Sequence, residues 1–279
     1  MRSYSKEIVI SFAALVLLVF AVVAFLRTVR VQQNNLDVNI FSLIPPNAEV
    51  TFTINRPDMF RKIPGLYAAL GDEIPSVYLS ILQNLSLESA VISFYPQGSL
   101  CCVQTQAPGD IVDFLFDRFK EYAPLKQEAN KLEFYYLPDA ENRFLGYYTY
   151  KNVWVGSYSS KLLERTGARQ RRSEMMLPNE MLDLFEKADK NSPANIIFPV
   201  SLVGLELLPE FAETNYLAAD LFVSEGNLCA YMYLPAYDEK IEMLLKNFLE
   251  KHFPMLLFSF QISVDGGKVA LTACAPVGN

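Results

Sequence analysis

Hydrophobic residues are not spread evenly along this chain. From Ile8 to Leu26 it reads IVISFAALVLLVFAVVAFL, nineteen residues without a charge. A helix rises about 1.5 Å per residue, so this run just spans a hydrocarbon core of about 30 Å. Ile8, Leu15, Leu18, Phe20 and Leu26 mark the expected membrane anchor. A cleaved signal peptide is the competing reading. Its apolar stretch is shorter, and Phe25-Leu26-Arg27 is a poor cleavage site. A retained anchor is therefore expected. Arg2 and Lys6 lie before it and Arg27 and Arg30 after it, so the flanking charges do not set a direction. Large C-terminal domains cross largely regardless of charge, which favours a cytoplasmic N-terminus and an extracytoplasmic domain.

After a polar stalk from Val31 to Ser42, the pattern changes to short periodic elements. Glu49 to Asn55 alternates like a half-buried strand. Pro57 suits the first turn of a helix. A second helical stretch runs from Pro75 to Leu85. Strands follow at Ala90 to Tyr95 and Leu100 to Thr105, across a turn at Pro96-Gln97-Gly98. Asp110 to Tyr122 reads as an amphipathic helix. Strands are expected again at Leu132 to Tyr136, Phe144 to Tyr150 and Val153 to Gly156.

The second half repeats this order. Strands are expected at Asn195 to Phe198, Ala219 to Val223 and Leu228 to Leu234. Glu239 to His252 then reads as a helix, and Phe258 to Val264 and Lys268 to Ala273 as a hairpin over Asp265-Gly266-Gly267. AVISFYPQGSLCC (90–102) lies against ADLFVSEGNLCA (219–230), which aligns Leu100-Cys101 with Leu228-Cys229. Val112, Leu115, Phe116 and Phe119 share their spacing with Ile241, Leu244, Leu245 and Phe248. The expected fold class is α+β: an N-terminal transmembrane helix, then a tandem duplication of a β-α-β-β-α-β-β unit, with mainly antiparallel sheets and helices on one face. The expected divisions are tail and anchor 1–30, stalk 31–42, first repeat 43–160, connection 161–178 and second repeat 179–279.

The opening of the folded region, Ile44-Pro45-Pro46-Asn47-Ala48 with Val50 and Ile54-Asn55-Arg56-Pro57, resembles a group of uncharacterised bacterial membrane-anchored envelope proteins with a duplicated α+β extracytoplasmic domain. The resemblance covers 43–279 in layout and this short element in residues. It implies the periplasmic side of a bacterial inner membrane. The group carries no activity to transfer.

Composition adds exclusions. Lys+Arg is 24 and Asp+Glu 31, a net charge of −7. A negative field repels phosphate backbones, so no nucleic-acid partner is expected. His252 is the single histidine and sits where a helix should end, so a Ser-His-Asp or Cys-His unit has little to draw on. Cys101, Cys102, Cys229 and Cys274 lack metal-ligand spacing, and neither metal nor cofactor is expected. If Cys101 and Cys229 are equivalent, a bond between them would join the repeats; burial of each as a small apolar residue is the simpler account. Asp110, Asp113 and Asp117 share one helix face, where a carboxylate cluster suits cation binding or glycoside cleavage, or simply solvation. Arg165, Arg169, Arg171 and Arg172 form a basic run, read as an exposed connection or a contact for anionic headgroups.

The candidates for ligand binding are aromatic. Phe144, Tyr148 and Tyr150 alternate along one expected strand, with Trp154 and Tyr158 on the next and Tyr147 on the other face. Tyr148, Tyr150 and Trp154 would hold a glycan, peptide or lipid chain if exposed, and would be core if covered. Leu202 to Leu208 is an apolar run with the same two readings. The functional expectation is a non-catalytic, single-pass, extracytoplasmic protein, touching the bilayer through residues 8–26 and binding an envelope partner or a hydrophobic ligand. The alternatives are an extracytoplasmic hydrolase and a structural assembly factor of the envelope.

Overall fold

The computed structural model describes residues 22, 38–63, 74–129, 132–139, 143–170, 179–252, 259–265 and 268–276. The chain divides into a unit Met1–Val38 and a unit Asn39–Asn279. The expected anchor lies outside the described residues apart from Val22. Among the described residues, no helix is long and apolar enough to cross a membrane.

The second unit is α+β. Its strands are β1 (Val50–Ile54), β2 (Ser89–Tyr95), β3 (Gly98–Gln104), β4 (Leu125–Ala129), β5 (Leu132–Asp139), β6 (Arg143–Tyr150), β7 (Val153–Ser157), β8 (Ala194–Pro199), β9 (Tyr216–Ser224), β10 (Asn227–Leu234), β11 (Ser259–Asp265) and β12 (Lys268–Pro276). The helices among the described residues are α1 (Pro57–Phe60), α2 (Ser76–Asn84), α3 (Pro108–Arg118), α4 (Ser160–Gln170), α5 (Asn179–Lys187) and α6 (Glu239–His252). All the strands join one sheet, in the order β11-β12-β10-β9-β8-β1-β2-β3-β7-β6-β5-β4. Every pairing in it is antiparallel.

β1 and β8 lie side by side at the centre, with Phe52 opposite Ile196. From β1 outward the order is β2, β3, β7; from β8 outward it is β9, β10, β12. On each side a three-strand meander leads into a helix, α3 or α6, and the returning strand pairs with the third strand of the meander. Between β8 and β9 the chain makes 3₁₀ turns at Val200–Leu202, Leu205–Leu207 and Pro209–Phe211 instead of an α-helix. The apolar run 202–208 thus splits by position: Leu205 and Leu208 are buried, and Leu207 is 80% exposed.

The expectation of helices on one face is corrected. Strand residues alternate between two faces, and a sheet this wide is apolar on both. One face carries Phe52, Ile92, Val103, Tyr147 and Trp154, and packs against α1, α2 and α3 through Phe60, Tyr78, Ile81 and Leu115. The same face of the second half carries Leu217, Ala219, Met232 and Leu271 beneath Ile241 and Leu245 of α6. The opposite face receives α4, which packs on β7, β3 and β6. Leu163 of α4 sits against Gly146, and Gly167 of α4 against Phe134. Within the expected connection 161–178, residues 161–170 are therefore no exposed run: Leu162, Leu163 and Thr166 are buried. α5 joins that layer, with Phe185 stacked on Phe41 at 4.1 Å.

The cysteines also depart from expectation. Cys101 packs with the cluster beneath α2 and α3. Cys229 lies opposite Phe222, on the other face from Leu221 and Leu228. Aligning Leu100-Cys101 with Leu228-Cys229 is thus one residue out of step, because a one-residue slip in a strand exchanges its faces. Cys229 is bonded instead to Cys274, its direct neighbour on β12, with Cα atoms 4.1 Å apart. Cys101 and Cys102 are buried free thiols, and burial pushes both their pKa values up.

An apolar cavity between the helical covers

The residues singled out by sequence do not assemble into a site. Trp154 and Tyr148 are each fully buried. Thr149 is the residue opposite Trp154, which puts Trp154 on the face of Tyr147 and not of Tyr148. Trp154 stacks on Tyr147 at 6.2 Å, while Tyr148 meets Phe134 edge-on at 5.4 Å on the opposite face. Tyr150 is half-buried at the strand end, with Lys151 over its ring at 5.4 Å. These three side chains are divided between two faces and form no common surface. Among the described residues, the Trp154 Nε1 and the Tyr148 hydroxyl have no hydrogen-bond partner.

Asp110, Asp113 and Asp117 are exposed along α3, while Ile111 and Leu115 of the same helix are buried. The carboxylates lie on the solvated side of α3, which is the simpler of the readings the sequence gave them. α6 ends at His252, as the sequence suggested. Among the described residues, no group of three His, Cys, Asp or Glu side chains is placed to hold a metal ion.

A cavity of about 410 Å³ lies instead on the sheet face shared by α2 and α6. Its floor crosses the central strands: Val50 and Phe52 on β1, Ile196 and Phe198 on β8, Ala219 on β9, Ala230 and Met232 on β10. Leu271 of β12 and Phe260 of β11 continue it beneath α6. Leu245 and Phe248 of α6 form one wall, and Ile74 and Pro75 at the start of α2 border the opposite side. Phe198 and Phe248 stack at 5.9 Å where floor and wall meet. Phe94 and Ser99 of the β2–β3 hairpin lie at one end with the exposed Glu49, while Tyr95 borders the cavity with its side chain turned to the other face of the sheet.

The geometry follows from the layers. The cluster under α1 and α2 takes in Phe52 and Ile54 with Ala194, Leu221 and Leu228, and the cluster under α6 takes in Phe198, Ala219 and Met232, so the central strands are shared by two covers. Their inward residues must still be apolar, because they continue the core on either side. Two small residues, Ala219 and Ala230, leave space where larger ones would fill it. The polar atoms nearest the hairpin end are engaged. On the opposite face the Tyr95 hydroxyl donates to the Pro45 carbonyl at 2.9 Å, and burial pushes its pKa up. The Ser99 carbonyl accepts from the Ser157 hydroxyl at 2.7 Å. A cavity so lined fits the size and character of small-molecule sites, which are about 300–1,000 Å³ and mostly apolar with a few polar groups fixing orientation.

Of the cavity lining the sequence offered only Leu202, within the apolar run 202–208, as a surface for a partner. Phe198, Met232, Leu245 and Phe248 were legible as core positions of their own elements. Nothing in local periodicity says that two covers leave a gap.

Fold and cavity define an α+β protein built on one long antiparallel sheet with helices on both faces. Among solved structures the chain is similar to crystal form I of TP0453, with TM-score 0.54 and 10% identity, covering 85% of this chain and 93% of that one. It is also similar to crystal form IV of TP0453, with TM-score 0.50 and 11% identity over 86% and 94%. At these identities the likeness is one of fold. No family model and no curated protein matches the chain.

Proposed function

We propose that this chain is a membrane-tethered, extracytoplasmic binding protein that holds a hydrophobic ligand, a single alkyl or acyl chain, in the cavity between α2 and α6. The cavity carries the reading: its floor and walls are apolar, and its polar groups gather at one end. A chain of methylenes gains about 0.8 kcal/mol for each group removed from water, and its polar terminus would lie toward Glu49 and the hairpin. The uncharged run 8–26 supports the tether. The Cys229–Cys274 bond supports an oxidising compartment, since such bonds are rare in the cytosol. The matching strand order on either side of β1 and β8 supports a tandem duplication, with the cavity at the join of its halves.

The test is titration of the full chain with cis-parinaric acid, whose fluorescence rises on burial. Ala219→Phe, placed on the cavity floor, is expected to weaken binding at least about tenfold while the fold, read by circular dichroism, persists. No saturable binding, or binding indifferent to Ala219→Phe, would overturn the proposal.

A further inference from the structure

An aromatic strand face, which the sequence suggested for Phe144 to Tyr158, lies elsewhere, on β9 and β10, with Tyr233 exposed and Phe222 and Tyr231 half-buried. β8 begins at Ala194, opposite Leu221, while β9 runs on to Ser224. Where β9 outruns β8 there is a cleft of about 840 Å³. Asp220 and Phe222 of β9, and Tyr231 and Tyr233 of β10, line it from the face opposite the apolar cavity. Asp220 lies directly across from Tyr231. The rings of Tyr231 and Tyr233 stand 5.2 Å apart at 79° and form a corner. Tyr233 is 48% exposed.

The Asp220 carboxylate is held in place. Its Oδ1 accepts from the Asp189 backbone N–H at 3.2 Å and from Asn195 Nδ2 at 2.5 Å. Asn195 is itself engaged by Asn55 Nδ2. The rest of the cleft is mixed in charge: Lys62 and Lys187 reach it as well as Asp189 and Asp220. Two ammonium groups against two carboxylates leave no net charge to select an ion of either sign. A purely apolar ligand would cover the carboxylate without satisfying it. A sugar ring meets both demands, with an apolar C–H face for an aromatic ring and hydroxyls for carboxylate, amide and ammonium.

We propose that this cleft binds a neutral saccharide, with Tyr231 and Tyr233 against the apolar faces of its rings and Asp220 accepting from its hydroxyls. The site is separate from the acyl-chain cavity and does not depend on it. Saturation-transfer NMR and calorimetry on the full chain with maltohexaose, cellohexaose and chitohexaose test it, with penta-alanine and tri-lysine as peptide probes. At least one hexasaccharide is expected to bind at millimolar concentrations or below. Tyr233→Ala should weaken it at least about tenfold and Asp220→Asn about fivefold, while Asp113→Asn on α3 leaves it unchanged. An unaltered circular dichroism spectrum and urea midpoint in each variant show that the fold is intact. Binding of no hexasaccharide, binding that survives Tyr233→Ala, or binding of a peptide probe alone would each overturn the assignment.

Discussion

Gly156 of β7 has no room for a side chain. A Cβ there would lie 2.1 Å from the Trp154 ring, which is itself fully buried and stacked on Tyr147. The indole has nowhere to move, so Gly156→Ala should destabilise the fold by about 2–3 kcal/mol through overpacking. Gly109 in α3 has nothing within 4 Å of the same added atom, and Gly109→Ala should be neutral or stabilising by up to about 1 kcal/mol through helix propensity. Urea denaturation of the two variants beside the parent chain checks both. Equal stability of the two variants would show that the Trp154 packing is not as described. At this scale the sequence was only partly legible. Trp154 and Tyr148 were visible as aromatic positions in strands. Their faces depended on the registers of β6 and β7, which no local pattern sets.

At the scale of elements, most of the secondary structure was readable. β1, β2, β8, β10, α2 and α6 fall within a few residues of their expected spans, because alternation or helical spacing marks each of them. β4 was missed: LKQEA is exposed along nearly its whole length and carries no buried alternation. α4 was missed because its arginines drew it toward solvent, while Leu162, Leu163 and Thr166 bury its other side. The disulfide was missed for a related reason, since the pairing of β10 with β12 bridges the intervening α6 and brings together cysteines 45 residues apart. Closing a loop of that length restrains the unfolded chain, so Cys229→Ser with Cys274→Ser should cost about 2–4 kcal/mol. Amide hydrogen exchange should show the loss first in the β11–β12 hairpin, which forms one end of the sheet. Loss spread uniformly over all strands would count against a local clasp.

At the scale of the whole molecule, several phenols are buried among the described residues. Burial is the first cause of the raised pKa of Tyr78, Tyr95, Tyr147, Tyr148 and Tyr158. Each phenol holds its proton more tightly in the fold than in the unfolded chain, where it titrates near pH 10. Stability from this source is therefore complete below about pH 10 and falls as the pH rises beyond it. Thermal unfolding between pH 8 and 11.5, followed with tyrosinate absorbance, should show Tyr78, Tyr95, Tyr147 and Tyr148 ionising only as the chain unfolds. Ionisation of every tyrosine in one early step, without loss of structure, would contradict the burial.

The central seam also sets a timetable. β1 finds β2 soon after both are made, but its other neighbour is far downstream: Asn55, just past β1, bonds to Asn195 across 140 residues. At about 5–20 residues per second, a growing chain carries a half-satisfied VTFTI strand for roughly ten seconds before β8 exists to cover it. During that interval the first half is a sheet with an open, apolar edge, the kind that recruits other chains. A ribosome or secretion channel that delivered this protein slowly, or released it short of Pro199, would produce a template for aggregation.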